Sequence, residues 1–120
     1  MLNLNSIMIG TQQTDVLAKF YENVFEKPAD MVEGGWHGWQ VGACFFTIGQ
    51  HSEVDDTAKE PQRLILNFET KEVKKEFERI KAIGAIVIKE PYGEAGSEIA
   101  TFADPDGNYF QLMSPWEQGK

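Results

Sequence analysis

The sequence has few of the residues that most often hold metal ions or form disulfides. It contains one cysteine, Cys44, and two histidines, His37 and His51, among 120 residues. A single cysteine excludes a disulfide within this sequence and fits a reducing, cytoplasmic setting. Its apolar neighbours predict a buried, unreactive thiol. The two histidines lack the close spacing of a metal-ligand motif, so they predict no metal site.

Basic residues are also scarce, and long apolar runs are missing. The chain has 11 Lys and Arg against 19 Asp and Glu, a formal net charge of −8. Nucleic acids and anionic membranes bind clustered basic residues, so we expect neither as a partner. No run approaches the roughly 20 apolar residues of a membrane span, and no secretory leader is visible. The excess of acidic residues either keeps the protein soluble or favours a cationic ligand.

Apolar residues are present in the proportion that a globular domain needs. Hydrophobic residues make up 42% of the chain and charged residues 25%, which is typical of soluble domains. The length predicts a single domain spanning residues 1–120, with enough buried surface to fold without disulfides.

The first part of the chain, residues 1–54, has a pattern of one strand, one helix and three strands. Alternation of apolar and polar residues predicts the first strand, and apolar residues three and four positions apart predict a helix that Pro28 ends. Gly34-Gly35 predicts a turn between the next two strands. The predicted elements are a strand over 2–9, a helix over 13–26, and strands over 29–33, 36–41 and 43–49.

The same order of elements repeats in residues 63–120, after a polar, non-periodic connection over 50–62. Thr70 is the predicted N-cap of the second helix, and Gly84 marks its end. Val16 and Phe20 correspond to Val73 and Phe77 at a constant offset, which favours two related modules. The predicted strands cover 63–69, 85–89, 98–103 and 108–114, with a loop over 91–96.

The last two strands are joined by a turn with a specific sequence, Asp104-Pro105-Asp106-Gly107-Asn108. Proline presets φ at the second turn position, and the Asp104 side chain can bond back to the turn backbone. Gly107 accepts the positive φ that closes the turn. The aromatic and apolar flanks predict a half-buried hairpin.

This turn, together with the repeated unit and the Phe20-Tyr21 pair, resembles the vicinal oxygen chelate superfamily. That superfamily includes glyoxalase I, bleomycin-resistance proteins and extradiol dioxygenases. The resemblance implies an α+β fold of two βαβββ modules, whose mostly antiparallel sheets curl into a cupped cavity. It also implies a homodimer.

The resemblance also implies four positions at which metal-dependent members carry His, Glu or Gln ligands. In this sequence they fall on Ser6 (with Asn5 one register away), Thr47, Ile65 and Gln111. Neutral hydroxyls and amides are weak ligands for divalent transition metals, which prefer imidazole and charged oxygen. We therefore expect no metal site and no cofactor, and a divalent metal is the disfavoured alternative.

Side-chain alternation sorts the strands of such a cavity into residues that face it and residues that face the helices. The predicted ligand-binding residues are Ser6, Met8, Trp39, Phe45, Thr47, Ile65, Asn67, Gln111 and Met113. Apolar walls with a few polar groups are the usual composition of a small-molecule site. Alternatively, Asn67 and Gln111 bond each other in a filled interior.

The predicted function is binding of a small organic molecule in the cavity, without a metal. One alternative is a metal-dependent lyase, isomerase or dioxygenase with atypical ligands. A second is a non-catalytic interaction module whose cavity has collapsed. For catalysis without a metal, Glu69 is the candidate general base and Tyr109 the candidate acid, because both are predicted to face the cavity.

Overall fold

A computed structural model describes residues 1–55 and 57–115 of the chain. The chain divides into two compact units, Met1–Asp56 and Thr57–Lys120. Each unit contains one four-stranded mixed sheet and one α-helix. The predicted α+β fold of two βαβββ modules is therefore confirmed. Residue 56 of the predicted connection and residues 116–120 of the second module lie outside the described residues.

The first unit consists of β1 (Ser6–Thr11), α1 (Thr14–Phe25), β2 (Met31–Glu33), β3 (Trp36–Val41) and β4 (Cys44–Gln50). Its strand order is β1-β4-β3-β2, with β1 parallel to β4 and the other pairs antiparallel. The prediction that the first strand begins at residue 2 is wrong. Leu2 and Leu4 alternate as in a strand but are exposed, because β1 begins to pair with β4 only at Ser6.

An aromatic core joins α1 to one face of the first sheet. Leu17, Tyr21 and Val24 of α1 are buried, and the Tyr21 ring lies 4.8 Å from that of Phe46. Trp39 is 1% exposed, and its indole N–H donates to the Lys27 carbonyl at 3.0 Å. Cys44, by contrast, is half-buried rather than buried as predicted.

The second unit consists of a 3₁₀ turn (Pro61–Arg63), β5 (Leu66–Glu69), α2 (Val73–Ala82), β6 (Ile86–Glu94), β7 (Ser97–Ala103) and β8 (Tyr109–Met113). Its strand order is β5-β8-β7-β6, with β5 parallel to β8. Phe77 of α2 stacks on Phe102 of β7 at 5.2 Å, and Phe102 stacks on Phe110 at 5.4 Å. These rings form the core between α2 and its sheet. Among the described residues, no helix has the length and apolar character to cross a membrane.

Strand β6 continues through the segment that the sequence analysis predicted as a loop. Pro91 lies inside β6, which pairs with β7 across register irregularities between Val87 and Lys89 and between Lys89 and Tyr92. Because β6 is an edge strand, a residue without an amide hydrogen is tolerated there. The reversal of the chain is confined to Ala95 and Gly96, both at positive φ. The start of β5 also differs, since the chain at residue 63 is in the 3₁₀ turn.

The two helices begin in the same way but bury different positions. The Thr11 hydroxyl accepts the Gln13 amide at 3.0 Å, and the Thr70 hydroxyl accepts the Glu72 amide at 3.1 Å. The N-cap of α2 is thus Glu72 rather than Thr70. The predicted match of Val16 with Val73 is wrong, because Val16 is 50% exposed and Val73 is 1% exposed.

The hairpin between β7 and β8 is built around the side chain of Asp104, which is 1% exposed. Its Oδ1 accepts the backbone amides of Asp106 at 2.9 Å and Asn108 at 3.0 Å. The Asn108 side-chain amide donates to Oδ2 at 3.0 Å, and Gly107 has φ of 83°. The predicted roles of Asp104 and Gly107 are confirmed.

We expect Asp104→Ala to lower the free energy of unfolding by about 3 kcal/mol, because it leaves buried N–H donors without their charged acceptor. Asp104→Asn retains one oxygen acceptor, so it should lower the free energy of unfolding by less. Urea unfolding followed by circular dichroism measures both. Asp55→Ala, which removes an exposed carboxylate, is the control. Equal midpoints for Asp104→Ala and the control would contradict this role of the turn.

Candidate functional site

Each sheet has one face packed on the helix of its own unit and one face turned away from that helix. We call the second the helix-free face. In the first unit it carries side chains of β1, β3 and β4 that alternate with the core residues. Its members include Ser6, Met8, Trp36, Phe45 and Thr47. In the second unit it carries Asn67, Glu69, Thr101, Tyr109, Gln111 and Met113.

On the first sheet, two aromatic rings lie directly on glycines. A Cβ built on Gly49 would fall 2.3 Å from Cδ2 and 2.6 Å from Cε2 of Trp36, the two atoms shared by the fused indole rings. The indole therefore lies face-on over the backbone of Gly49. A Cβ on Gly38 would fall 2.5 Å from Cζ of Phe45. The missing side chains let both rings lie close against the sheet and make part of its surface flat and aromatic.

The remaining predicted residues of the first unit have differing surroundings. Met8 is 66% exposed, and Ser6 is exposed next to it on the same strand face. The Thr47 hydroxyl donates to the Ile7 carbonyl at 3.0 Å, so its hydrogen is already used. Trp39 lies in the helix-side core instead, and we leave it out of the candidate site.

On the second sheet, a row of polar side chains crosses three neighbouring strands. Asn67 of β5 is level with Gln111 of β8, which is level with Thr101 of β7. The Gln111 side-chain amide donates to the Thr101 hydroxyl at 3.1 Å. This bond orients the Gln111 amide across β7, and Thr101 is only 6% exposed. Met113 places an apolar group two residues beyond Gln111 on β8, level with Glu69, and Ile65 directly precedes β5.

The candidate acid and base lie on the same helix-free face but at different levels. Tyr109 directly precedes Phe110, which pairs with Leu66 at the start of the β5–β8 ladder. Glu69 pairs with Met113 at the end of that ladder. The two levels are four residues apart, which corresponds to about 13 Å along a strand. A general acid and base that act on one small substrate must each lie within hydrogen-bond reach of it. The backbone positions of Glu69 and Tyr109 are therefore separated along the strands, and their roles as base and acid stay predictions.

A second phenol, Tyr92, lies on this face at the edge strand β6, level with Ile99. The Lys89 ammonium group sits over its ring, 4.5 Å from the centroid. Partial burial, and then the hydrogen bond and negative charge of Glu94, hold the pKa of the Tyr92 phenol above its usual value. Tyr92 is therefore a neutral hydrogen-bonding group over the physiological pH range.

The four positions that correspond to metal ligands do not provide a donor set for a divalent metal. The first unit offers two hydroxyls, of which that of Thr47 already donates to a carbonyl. The second offers the aliphatic Ile65 and the amide of Gln111. None is an imidazole or a carboxylate, the groups that transition metals prefer. Elsewhere among residues 1–55 and 57–115, no group of three His, Cys, Asp or Glu could hold a metal ion.

Sequence reasoning missed four residues that shape these faces. Thr101 follows the same alternation that identified Gln111. The predicted pairing of the last two strands across the turn is the signal that puts Thr101 level with Gln111. Tyr92 fell in a segment predicted as a loop. Gly38 and Gly49 carry no side chain, so only the structure shows that rings lie on them.

Comparison with known proteins places the chain among domains of the same fold. A family model described as a glyoxalase-like domain matches residues 6–113. No curated protein matches the sequence.

Among solved structures, a glyoxalase/bleomycin resistance protein/dioxygenase family enzyme from Burkholderia phytofirmans PsJN is 25% identical, with a TM-score of 0.76. The match covers 94% of this chain and 98% of that one. A glyoxalase/bleomycin resistance protein/dioxygenase from Nocardioides is 13% identical and covers 100% and 87% of the two chains, with a TM-score of 0.81. A glyoxalase-related enzyme from Fulvimarina pelagi is 16% identical, covering 96% and 89%, with a TM-score of 0.79. The last two likenesses show the fold alone.

We expect Gly49→Ala to displace the Trp36 indole, because the new Cβ would overlap the ring. The expected cost is about 1–3 kcal/mol of unfolding free energy, as for other overpacked sites. The indole N–H resonance of Trp36 should also shift in a ¹⁵N–¹H spectrum. Gly93→Ala is the matched control, since no atom lies within 4 Å of its added Cβ. An unshifted Trp36 resonance with unchanged stability would contradict the face-on contact.

Proposed function

Since this chain belongs to the glyoxalase-like domain family of the vicinal oxygen chelate superfamily, we propose that it binds a small organic molecule. The proposed binding surfaces are the helix-free faces of the two sheets, each within its own unit, and binding requires no metal. The chain acts in this proposal as a cytoplasmic homodimer.

The observation that carries the proposal is the polar row of Asn67, Gln111 and Thr101. The Gln111 amide is held by its hydrogen bond to Thr101, so its carbonyl oxygen is oriented before a ligand arrives. Preorganised polar groups lose little conformational entropy on binding and therefore improve affinity and selectivity. The alternative in which Asn67 and Gln111 bond each other is disfavoured, because the described bond of the Gln111 amide goes to Thr101, across β8 from Asn67.

Apolar surface on each helix-free face supplies the driving force. On the first sheet, Met8 is 66% exposed and the rings of Phe45 and Trp36 lie against the backbone. On the second sheet, Met113 is half-buried beside the polar row. Covering such surface stabilises a complex by about 25 cal/mol for each Å² removed from water. Oriented amides beside the apolar Met113 suit a small molecule that has an apolar part and hydrogen-bonding substituents.

The donor chemistry of the positions that correspond to metal ligands supports the proposal of metal independence. An aliphatic group cannot coordinate a metal, and neutral hydroxyls and amides are poor substitutes for imidazole and carboxylate. The enzymatic alternative, a lyase, isomerase or dioxygenase, needs ligands from other residues. An acid–base reaction through Glu69 and Tyr109 needs both side chains to reach one substrate from backbone levels about 13 Å apart. The collapsed interaction module is disfavoured by the exposure of Met8 and Asn67.

We expect a ligand from a thermal-shift screen to lose its effect in Gln111→Leu. The probes are N-methylquinolinium, the methylglyoxal–glutathione adduct and divalent metal ions, each added to metal-free protein. A ligand at about 100 times its Kd stabilises the folded state by about 2.7 kcal/mol, which raises the melting temperature by several degrees. Gln62→Leu, which removes an exposed amide in the 3₁₀ turn, is the control. A ligand that stabilises the wild type and Gln111→Leu equally would contradict the proposed site.

We expect protein purified without chelators to contain well under one equivalent of any transition metal, as measured by elemental mass spectrometry. Gln111→Glu should not raise the metal content of the purified protein, because Ser6, Thr47 and Ile65 remain poor ligands. Tightly bound, stoichiometric Ni, Zn, Mn or Fe in the wild type would contradict metal independence and favour the enzymatic alternative.

A further inference from the structure

A separate cavity of about 550 Å³ lies within the first unit, where α1 begins and β3 emerges from the β2–β3 turn. Its volume is in the range of small-molecule sites. The cavity is lined by Thr14 and Asp15 of the first turn of α1, by residues 34–37 of the β2–β3 turn and the start of β3, and by Gln50 and Ser52 at the end of β4. Asp15 and His37 are its ionisable groups.

The local sequence explains why this space is open. Gly34 and Gly35 make the β2–β3 turn at φ of 60° and 84°. Apart from the adjacent residues in the chain, no atom of the part of the protein that the structure describes lies within 4 Å of a Cβ built on either glycine. The turn therefore borders the cavity with backbone atoms alone. Trp36 follows directly, and its indole is fixed against Gly49. The cavity thus has a fixed aromatic wall and an unobstructed side.

Charge is distributed unevenly between the units and favours a cation here. Residues 1–56 contain eight Asp and Glu against two Lys, and residues 57–120 contain eleven Asp and Glu against nine Lys and Arg. The formal charges are thus −6 and −2. Both lysines of the first unit are engaged outside the cavity, Lys19 with Glu22 at 3.3 Å and Lys27 with Asp30 at 3.0 Å. Neither lysine lines the cavity.

We infer that this cavity binds a small organic ammonium ion, with the Asp15 carboxylate as its counter-charge and the Trp36 indole as its aromatic wall. Ammonium groups are attracted both to carboxylates and to the faces of tryptophan rings. The N-terminal end of α1 opposes this with a partial positive charge of about one half, which the full charge of Asp15 exceeds. The Gln50 amide and the Ser52 hydroxyl can bond a polar substituent of the ligand.

The test compares choline with 3,3-dimethylbutan-1-ol, its uncharged isostere, in titrations of the full chain followed by tryptophan fluorescence at low salt. Choline should bind, and the isostere should not bind at the same concentrations. In Asp15→Asn the Kd for choline should rise about tenfold. The variant loses the attraction between the carboxylate and the ammonium group, and the ammonium group is then held less firmly against the Trp36 ring. Glu53→Gln removes the same charge from an exposed residue that does not line the cavity. It should raise the Kd less than about twofold, because separated surface charges are screened.

Equal binding of choline and its isostere would overturn the inference, as would no binding of choline to the wild type. So would equal effects of Asp15→Asn and Glu53→Gln, since that would indicate only a general attraction to the acidic unit. Trp36→Leu provides a second readout and should weaken choline binding while circular dichroism verifies its folding. Trp36 belongs to both proposed sites, so the variants that separate them are Asp15→Asn here and Gln111→Leu in the other unit, and either hypothesis can fail on its own variant.

Discussion

The buried carboxylate of Asp104 sets the register on which the second unit depends. It holds the amides of Asp106 and Asn108, which places Ala103 opposite Tyr109 in the first pair of the β7–β8 ladder. From that pair onward, alternation sends Phe110 and Leu112 into the core and Gln111 to the helix-free face. A slip of one residue would exchange the two sets and bury the amide against α2. The chemistry of the face is therefore a consequence of the turn.

Side chains alternate between the two faces of the first sheet as well, but two glycines change how the neighbouring rings pack. Where Gly38 and Gly49 occur, the neighbouring rings of Phe45 and Trp36 lie against the backbone instead of beside other side chains. The first sheet thus presents flat aromatic surface, whereas the second presents an oriented row of amides and a hydroxyl. One βαβββ plan, used twice, yields two surfaces with different chemistry, because side chains rather than backbone define a binding face.

Patterns that depend on local chemistry could be predicted from the sequence, and patterns that depend on a partner strand could not. The helix α1 and the Asp104 turn follow from spacing and turn residues alone. Leu2 and Leu4 alternate as in a strand but have no partner strand, and Pro91 reads as a loop although an edge strand accommodates it. The face occupied by Trp39 depends on the pairing of β3 with β4, which aromatic content does not reveal. Alternation placed Gln111 correctly, yet its bond to Thr101 emerges only from the β7–β8 register.

The side chains available on the helix-free faces favour recognition over activation of a substrate. A metal enzyme polarises its substrate with a cation held by charged or imidazole ligands. Here the corresponding positions carry hydroxyls, an amide and an aliphatic group, and the Thr47 hydroxyl and the Gln111 amide already donate hydrogen bonds within the protein. Such groups orient a ligand without drawing electrons from it. The acidic charge concentrated in the first unit acts at longer range and raises the local concentration of cations. In the proposed function, the oriented hydrogen-bonding groups of a helix-free face select a ligand by its shape instead of activating it.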